Sequence, residues 1–199
     1  MKHIKIKLLI AAVFMFAATS AFADYSYNFS VNTSSVAGQP GYVDLMFNPG
    51  DNSLGSATAT ITNFNTDAAL GAALLTGGAT GVLPSTVSIV NNALNTNNPY
   101  NDDFQQVTFG QNMNFSLNLS GAAGNSFMLY FYDGTVSNSL LTNNLSSGIA
   151  TEIDMTKNGA IVTNNSNQVT VSATPIPAAA YLFGSGLMGL VGIRRKMKN

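Results

Sequence analysis

Cysteine and tryptophan are absent from the 199 residues, histidine occurs once, and 8 basic residues stand against 9 acidic ones. The few charges are also kept apart. Lys2, Lys5 and Lys7 lie near the start, Arg194, Arg195, Lys196 and Lys198 lie near the end, and Lys157 is the only base between them. Asp24, Asp44, Asp51, Asp67, Asp102, Asp103, Asp133, Glu152 and Asp154 all fall in the middle. Residues 24–174 therefore set one lysine against nine acids, a net charge of −8, and contain no Arg, His or Cys.

Each absence excludes a chemistry. Nucleic-acid binding needs several Lys or Arg on phosphates, and the middle offers one, so no nucleic-acid partner is expected. It offers no cationic patch for anionic lipid either. Without imidazole or thiol it can build neither a Ser-His-Asp triad, a Cys nucleophile, nor a His- or Cys-ligated metal or haem site. No Gly-rich loop leads into Lys-Ser or Lys-Thr, so there is no P-loop. The expectation is a protein that is not an enzyme and carries no cofactor.

What is present reads first as an address. Lys2, Lys5 and Lys7 precede the apolar stretch Leu8 to Ala18, and Ala21-Phe22-Ala23 supplies small residues before Asp24. This is the layout of a secretory signal peptide over residues 1–23, cleaved between Ala23 and Asp24. Its partners would be the Sec machinery and signal peptidase. A Cys-free domain also needs no oxidative folding after export.

The other end carries Pro175-Ile176-Pro177-Ala178, then an uncharged run from Ile176 to Ile193 of 18 residues, then Arg194, Arg195, Lys196 and Lys198. The run is long enough for a transmembrane helix. The basic tail would hold the C-terminus on the cytoplasmic side, and the two prolines break regular structure at the helix entrance. Hydropathy alone does not separate a sorting signal from a plain C-terminal anchor.

The stretch from Pro175 through Tyr181-Leu182-Phe183-Gly184-Ser185-Gly186-Leu187, with the apolar helix and basic tail, resembles a PEP-CTERM sorting signal. Such tripartite signals occur in Gram-negative bacteria that make exopolysaccharide, and a membrane transpeptidase-like exosortase recognises them. Ile176 stands where the namesake motif has Glu, and the run is similar to the variant with Pro-Leu-Pro-Ala at this point. Val31 to Gly38 leading into Gly41-Tyr42-Val43-Asp44-Leu45-Met46-Phe47-Asn48-Pro49-Gly50 resembles a group of short PEP-CTERM proteins to which no activity attaches. The resemblance implies exosortase as a partner and a transient inner-membrane precursor. It further implies delivery to the cell surface or the extracellular exopolysaccharide matrix of a biofilm.

Residues 24–174 read as one all-β domain. Tyr25, Tyr27, Phe29 and Val31 alternate with polar residues, as do Val43, Leu45 and Phe47, then Ala57, Ala59 and Ile61, then Met113, Phe115, Leu117 and Leu119. Period-two alternation predicts antiparallel strands with one buried and one wet face. Phe127 to Tyr132, continuously apolar, predicts a central strand covered on both faces. Further strands are expected at 86–91, 104–109, 149–155, 160–163 and 168–174, and Ala68 to Leu75 reads as loop plus a short strand. Pro40-Gly41, Asn48-Pro49-Gly50, Asn98-Pro99 and Asp133-Gly134 carry turn chemistry. The pattern predicts an antiparallel β-sandwich with a jelly-roll-like arrangement.

Three kinds of site are open to this residue set. A glycosidase would need paired carboxylates across a cleft. Glu152 and Asp154 would instead share one strand face about 7 Å apart, and Asp102 and Asp103 would point to opposite, solvated sides. Calcium would use the oxygen-rich stretches Asn97 to Asp103 and Asn48 to Asn52, but neither has the spacing of a dedicated calcium loop. A glycan would use Tyr42, Tyr100, Tyr130 and Tyr132 as stacking surfaces, with Asn and Asp as hydrogen-bond partners. The expectation is thus a non-catalytic structural protein of the matrix, with a glycan-binding module as the second reading and a carboxylate-only glycoside hydrolase as a distant third. Tyrosines gathered on one face would separate the second reading from the first.

Overall fold

The computed structural model describes residues 24–50, 55–91 and 100–174. Twelve strands run along them: β1 (Tyr25–Asn32), β2 (Pro40–Pro49), β3 (Ala57–Thr66), β4 (Ala69–Thr76), β5 (Ala79–Gly81), β6 (Val87–Val90), β7 (Asp102–Thr108), β8 (Asn112–Gly121), β9 (Asn125–Asp133), β10 (Thr151–Thr156), β11 (Gly159–Asn164) and β12 (Val169–Ala173). They form two antiparallel six-stranded sheets, in the orders β12-β1-β8-β3-β6-β5 and β11-β10-β9-β2-β7-β4. The chain crosses between the sheets repeatedly, so that β1 pairs with β8, β2 with β7 and β3 with β6 as nested partners.

Alternation explains which face each strand buries. In β8, Met113, Phe115, Leu117 and Leu119 point into the core while Asn112, Asn114 and Asn118 are exposed. β1 runs opposite in register, Phe29 against Phe115, and the two rings stack at 4.6 Å. Phe29 also meets Phe127 of the other sheet edge-on at 5.9 Å, which ties the two layers together. Phe47, Phe131, Leu45, Leu129, Ile61, Ile89 and Ile153 complete the fully buried layer. Each such side chain contributes about 1.5–3 kcal/mol by leaving water. The buried apolar residues among the described ones, from Tyr27 to Val169, form one continuous core between the two sheets.

Two expectations need correction. Ala69–Thr76 is a full strand rather than a loop with a short strand; it pairs with β7 along its length, with the register shifting between Leu70 and Ala73. Its small residues and that irregularity remove the period-two signal. β9 is central, between β10 and β2, but only one of its faces is buried. Phe127, Leu129 and Phe131 enter the core, whereas Met128, Tyr130 and Tyr132 are half-buried on the outside. No helix among the described residues is long and apolar enough to cross a membrane. The helix expected over 176–193 lies outside the described residues.

Candidate binding face

The outer face of the second sheet is built by strand parity. Because Val43, Leu45 and Phe47 are fully buried in the core, Tyr42, Asp44, Met46 and Asn48 of β2 must point outward. Register then sets their neighbours. Asp44 lies opposite Phe104 on β7 and opposite Tyr130 on β9, while Tyr42 lies opposite Gln106 and Tyr132. The rings form a continuous shelf: Tyr42 stacks on Phe104 at 4.6 Å, Phe104 meets Tyr132 at 6.0 Å, and Tyr132 stacks on Tyr130 at 5.9 Å. Tyr100, just before β7, is 51% exposed, and its hydroxyl acts electrostatically on both Tyr130 and Tyr132. The four tyrosines singled out in the sequence therefore gather on one side of the molecule.

An open groove of about 420 Å³ continues the shelf, lined by Tyr42, Gln106, Pro40, Gly41, Gly134 and Thr135. The turn at its rim is braced by Asp133, which accepts hydrogen bonds from Asn138 Nδ2 at 2.5 Å, Thr135 Oγ1 at 2.8 Å and Ser137 N at 3.0 Å. Those bonds, Asn138 foremost and then Thr135, pull the Asp133 carboxyl down to about 2. The groove rim is thus held by a carboxylate that is ionised throughout the ordinary pH range.

The acids beneath the shelf behave differently. Asp44 is 4% exposed, its Oδ1 has no hydrogen-bond partner, and burial followed by Asp102 and Asp103 pushes its carboxyl up to about 8. Asp102 and Asp103 do point to opposite sides of β7, but they are buried rather than solvated. Strand parity puts Asp103 on the buried side of β7 with Gln105 and Val107, and β4, longer than the short strand expected there, runs beside β7 with Thr76 opposite Asp102 and Leu75 opposite Asp103. Thr76 donates a hydrogen bond to Asp102, and burial nevertheless raises that carboxyl. Asp103 is fully buried with neither oxygen hydrogen-bonded, and burial, then Asp102, raises it to about 6.

Glu152 and Asp154 share the outer face of β10, opposite Met128 and Ser126. Both are half-buried, Ser126 Oγ donates to Asp154 Oδ1 at 2.5 Å, and desolvation with the neighbouring Asp154 raises Glu152. Neither carboxylate looks across a cleft at the other. Asn48 and Asn101, from the two oxygen-rich stretches, bond each other: Asn48 Oδ1 accepts from Asn101 N at 2.8 Å. Asn101 Oδ1 in turn accepts from Gly78 N at 2.9 Å, which pins the β4–β5 turn to the start of β7.

Asp24 is exposed at the start of β1, while Ala21, Ala23, Pro175, Ile176, Pro177, Ala178, Arg194, Arg195, Lys196 and Lys198 lie outside the described residues. Phe104 at the centre of the shelf and Asp44 beneath it were not picked out as site residues from sequence. The outward parity of Tyr42 and Asp44 was readable on β2, but only cross-strand register brings Phe104 and Tyr130 beside them. The fold and face define an all-β protein of two antiparallel sheets, one bearing an aromatic shelf over buried acids. Compared with known protein families and with curated proteins, the chain matches none.

Proposed function

We propose that this is an exported, non-catalytic β-sandwich whose aromatic face holds polysaccharide in the extracellular matrix. The observation that carries this reading is the Tyr42–Phe104–Tyr132–Tyr130 shelf, continuous with an open groove. Flat rings take up the C–H faces of sugars, and Gln106 and Asp133 beside them offer polar groups for hydroxyls. A purely structural matrix protein would not require tyrosines on one accessible face. A glycoside hydrolase is disfavoured because Glu152 and Asp154 lie along one strand rather than across a cleft. The nested pairing of β1 with β8, β2 with β7 and β3 with β6 supports the jelly-roll-like arrangement, a frequent scaffold for lectins.

Delivery follows from the two ends. On this reading Sec and signal peptidase release the N-terminus at Asp24, the 176–193 helix holds the precursor at the inner membrane, and exosortase cuts near Pro175-Ile176-Pro177. The released product then reaches the cell surface and the biofilm matrix of a Gram-negative bacterium. Co-sedimentation of segment 24–174 with exopolysaccharide tests the binding. Wild type is expected in the pellet, and Tyr132→Ala combined with Tyr42→Ala is expected to weaken binding roughly tenfold or more; equal recovery of both would refute the face.

Sorting has its own test. Pro175→Ala with Pro177→Ala is expected to leave membrane insertion intact, since neither proline is needed for the span, and to block release. Mass spectrometry of surface material is the readout. Recovery of chains ending at Asn199 from wild-type cells with a working exosortase would make the C-terminal segment an ordinary anchor.

A further inference from the structure

Charge is missing from all four edges of the two sheets. The edge strands are β12 and β5 in the first sheet and β11 and β4 in the second, and none contains a charged residue. An edge strand turns part of its N–H and C=O groups away from its only neighbour, and proteins guard such edges with charge, proline, shortness or a bulge. β5 is only 3 residues long, β12 exposes Thr170, Ser172 and Ala173, all polar or small, and β4 carries the register shift between Leu70 and Ala73. β11 has no such guard. It pairs with β10 without a break from Gly159 to Asn164, holds no proline, and leaves its last four residues exposed, Ile161 by 56% and Val162 by 40%. Val162 lies opposite Ile153, which is fully buried, so β11 extends beyond the cover that the first sheet gives β10.

The only base of segment 24–174 stands at the same edge. Lys157 is exposed in the two-residue turn that joins β10 to β11, where Thr156 pairs with Gly159. Glu152 lies toward the other end of this hairpin, on β10 opposite Thr163. A strand that pairs antiparallel with itself brings opposite ends together. The turn bearing Lys157 would then lie alongside the far end of a second β11, next to the second copy's Glu152, and the same contact recurs across the axis. A second copy thus supplies both the apolar match for Ile161 and Val162 and the complementary charge for Lys157.

We infer that β11 pairs antiparallel with β11 of a second copy, about a two-fold axis normal to the second sheet, joining the two second sheets into one. Such pairing sets outer residues against outer residues, so either Ile161 or Val162 sits on the axis opposite its own counterpart. With Ile161 there, Ala160 meets Val162, Gly159 meets Thr163, and no pair joins like charges. The two Asp154 side chains are then three strand spacings apart, about 14 Å, beyond the roughly 8 Å screening length of physiological salt. One short strand from each copy makes a small interface, so the association is weak and reversible. The axis leaves both aromatic faces on the same side of the joined sheet. On the glycan reading proposed above, the dimer is a bivalent linker of polysaccharide.

The chain has no cysteine of its own, so single introduced cysteines report the contact without interference. Ile161→Cys and Val162→Cys are placed one at a time in the full chain, with Leu74→Cys on the exposed edge strand β4 as control. After mild oxidation, non-reducing electrophoresis reads the disulfide-linked dimer; no glycan is present, so the result is independent of the glycan reading. At least one β11 variant is expected to cross-link several-fold more than the control, because only residues at the axis come within disulfide reach of their counterparts. Adding Lys157→Glu is expected to lower that yield several-fold, since two attractions become two repulsions, and Glu152→Lys on top of it is expected to restore the yield. Equal cross-linking at all three positions, or at none, would overturn the pairing. Cross-linking only between mixed Ile161→Cys and Leu74→Cys chains would set β4 against β11 and overturn the two-fold arrangement. Yields indifferent to Lys157→Glu would overturn the antiparallel register.

Discussion

Phe115→Asp is expected to leave segment 24–174 unfolded at room temperature, whereas Asn114→Asp one residue away is expected to fold normally. Phe115 is 2% exposed, stacked on Phe29 at 4.6 Å and near Phe64 at 6.1 Å. Removing a buried Phe costs about 3–5 kcal/mol, and an unpaired buried carboxylate adds several more. The total is comparable with the roughly 5–15 kcal/mol that holds a typical domain together. Asn114 projects from the opposite, exposed face of the same strand, where a carboxylate stays hydrated. Circular dichroism melts of the two variants check this directly. Equal behaviour would mean that β8 has a different register or lacks a buried face.

Raising the pH from about 5 to 9 is expected to destabilise the folded domain, and Asp44→Asn is expected to remove most of that loss. In the unfolded chain the Asp44 carboxyl ionises near the ordinary value, roughly 3.9. In the folded chain burial, then Asp102 and Asp103, holds it up to about 8. The folded state therefore keeps a proton that the unfolded state has released. The contribution is most favourable below the unfolded value and declines as pH rises toward the folded one. It is flat above that. The full loss is on the order of 5 kcal/mol, by the conversion of about 1.36 kcal/mol per unit.

Asp103, raised to about 6 by burial and then Asp102, adds a shallower decline over the lower part of the window. Asp67 and Asp133 work in the opposite sense and do not interfere. Their carboxyls are lowered by hydrogen bonds, Asp67 chiefly from the Asn112 and Gln111 amides and Asp133 chiefly from Asn138 and then Thr135. Their stabilisation is lost only as pH falls below the ordinary carboxylate range. A melting temperature that stays level or rises between about pH 5 and 8 would contradict the buried, uncompensated state of Asp44. At about pH 9 the Asp44→Asn variant should be the more stable of the two.

How much of this was readable from sequence depends on where water lies. β1, β3 and β8 each bury one face and wet or half-wet the other, so hydrophobic alternation marks them; β2 alternates only over Val43, Leu45 and Phe47, and its outer residues Asp44, Met46 and Asn48 are buried as well. The full length of β4 was not legible, only a short strand, because Ala69-Leu70-Gly71-Ala72-Ala73-Leu74-Leu75-Thr76 has no alternation to read, and an edge strand with a register shift does not impose one. β9 looked covered on both sides because Met128, Tyr130 and Tyr132 are apolar in bulk, yet their polar or polarisable tips suit a half-exposed surface. The four tyrosines of the proposed binding face were legible as residues. Their convergence was not, because it arises from pairing β2 with both β7 and β9, strands distant in sequence.

Chemical-shift mapping of isotopically labelled segment 24–174, titrated with fragments of bacterial exopolysaccharide, tests whether the aromatic face takes up glycan. Perturbations are expected to concentrate on Tyr42, Asp44, Phe104, Tyr130 and Tyr132 of the second sheet. Absence of any perturbation, or perturbations confined to the outer face of the first sheet around Asn28, Asn114 and Ser116, would contradict it.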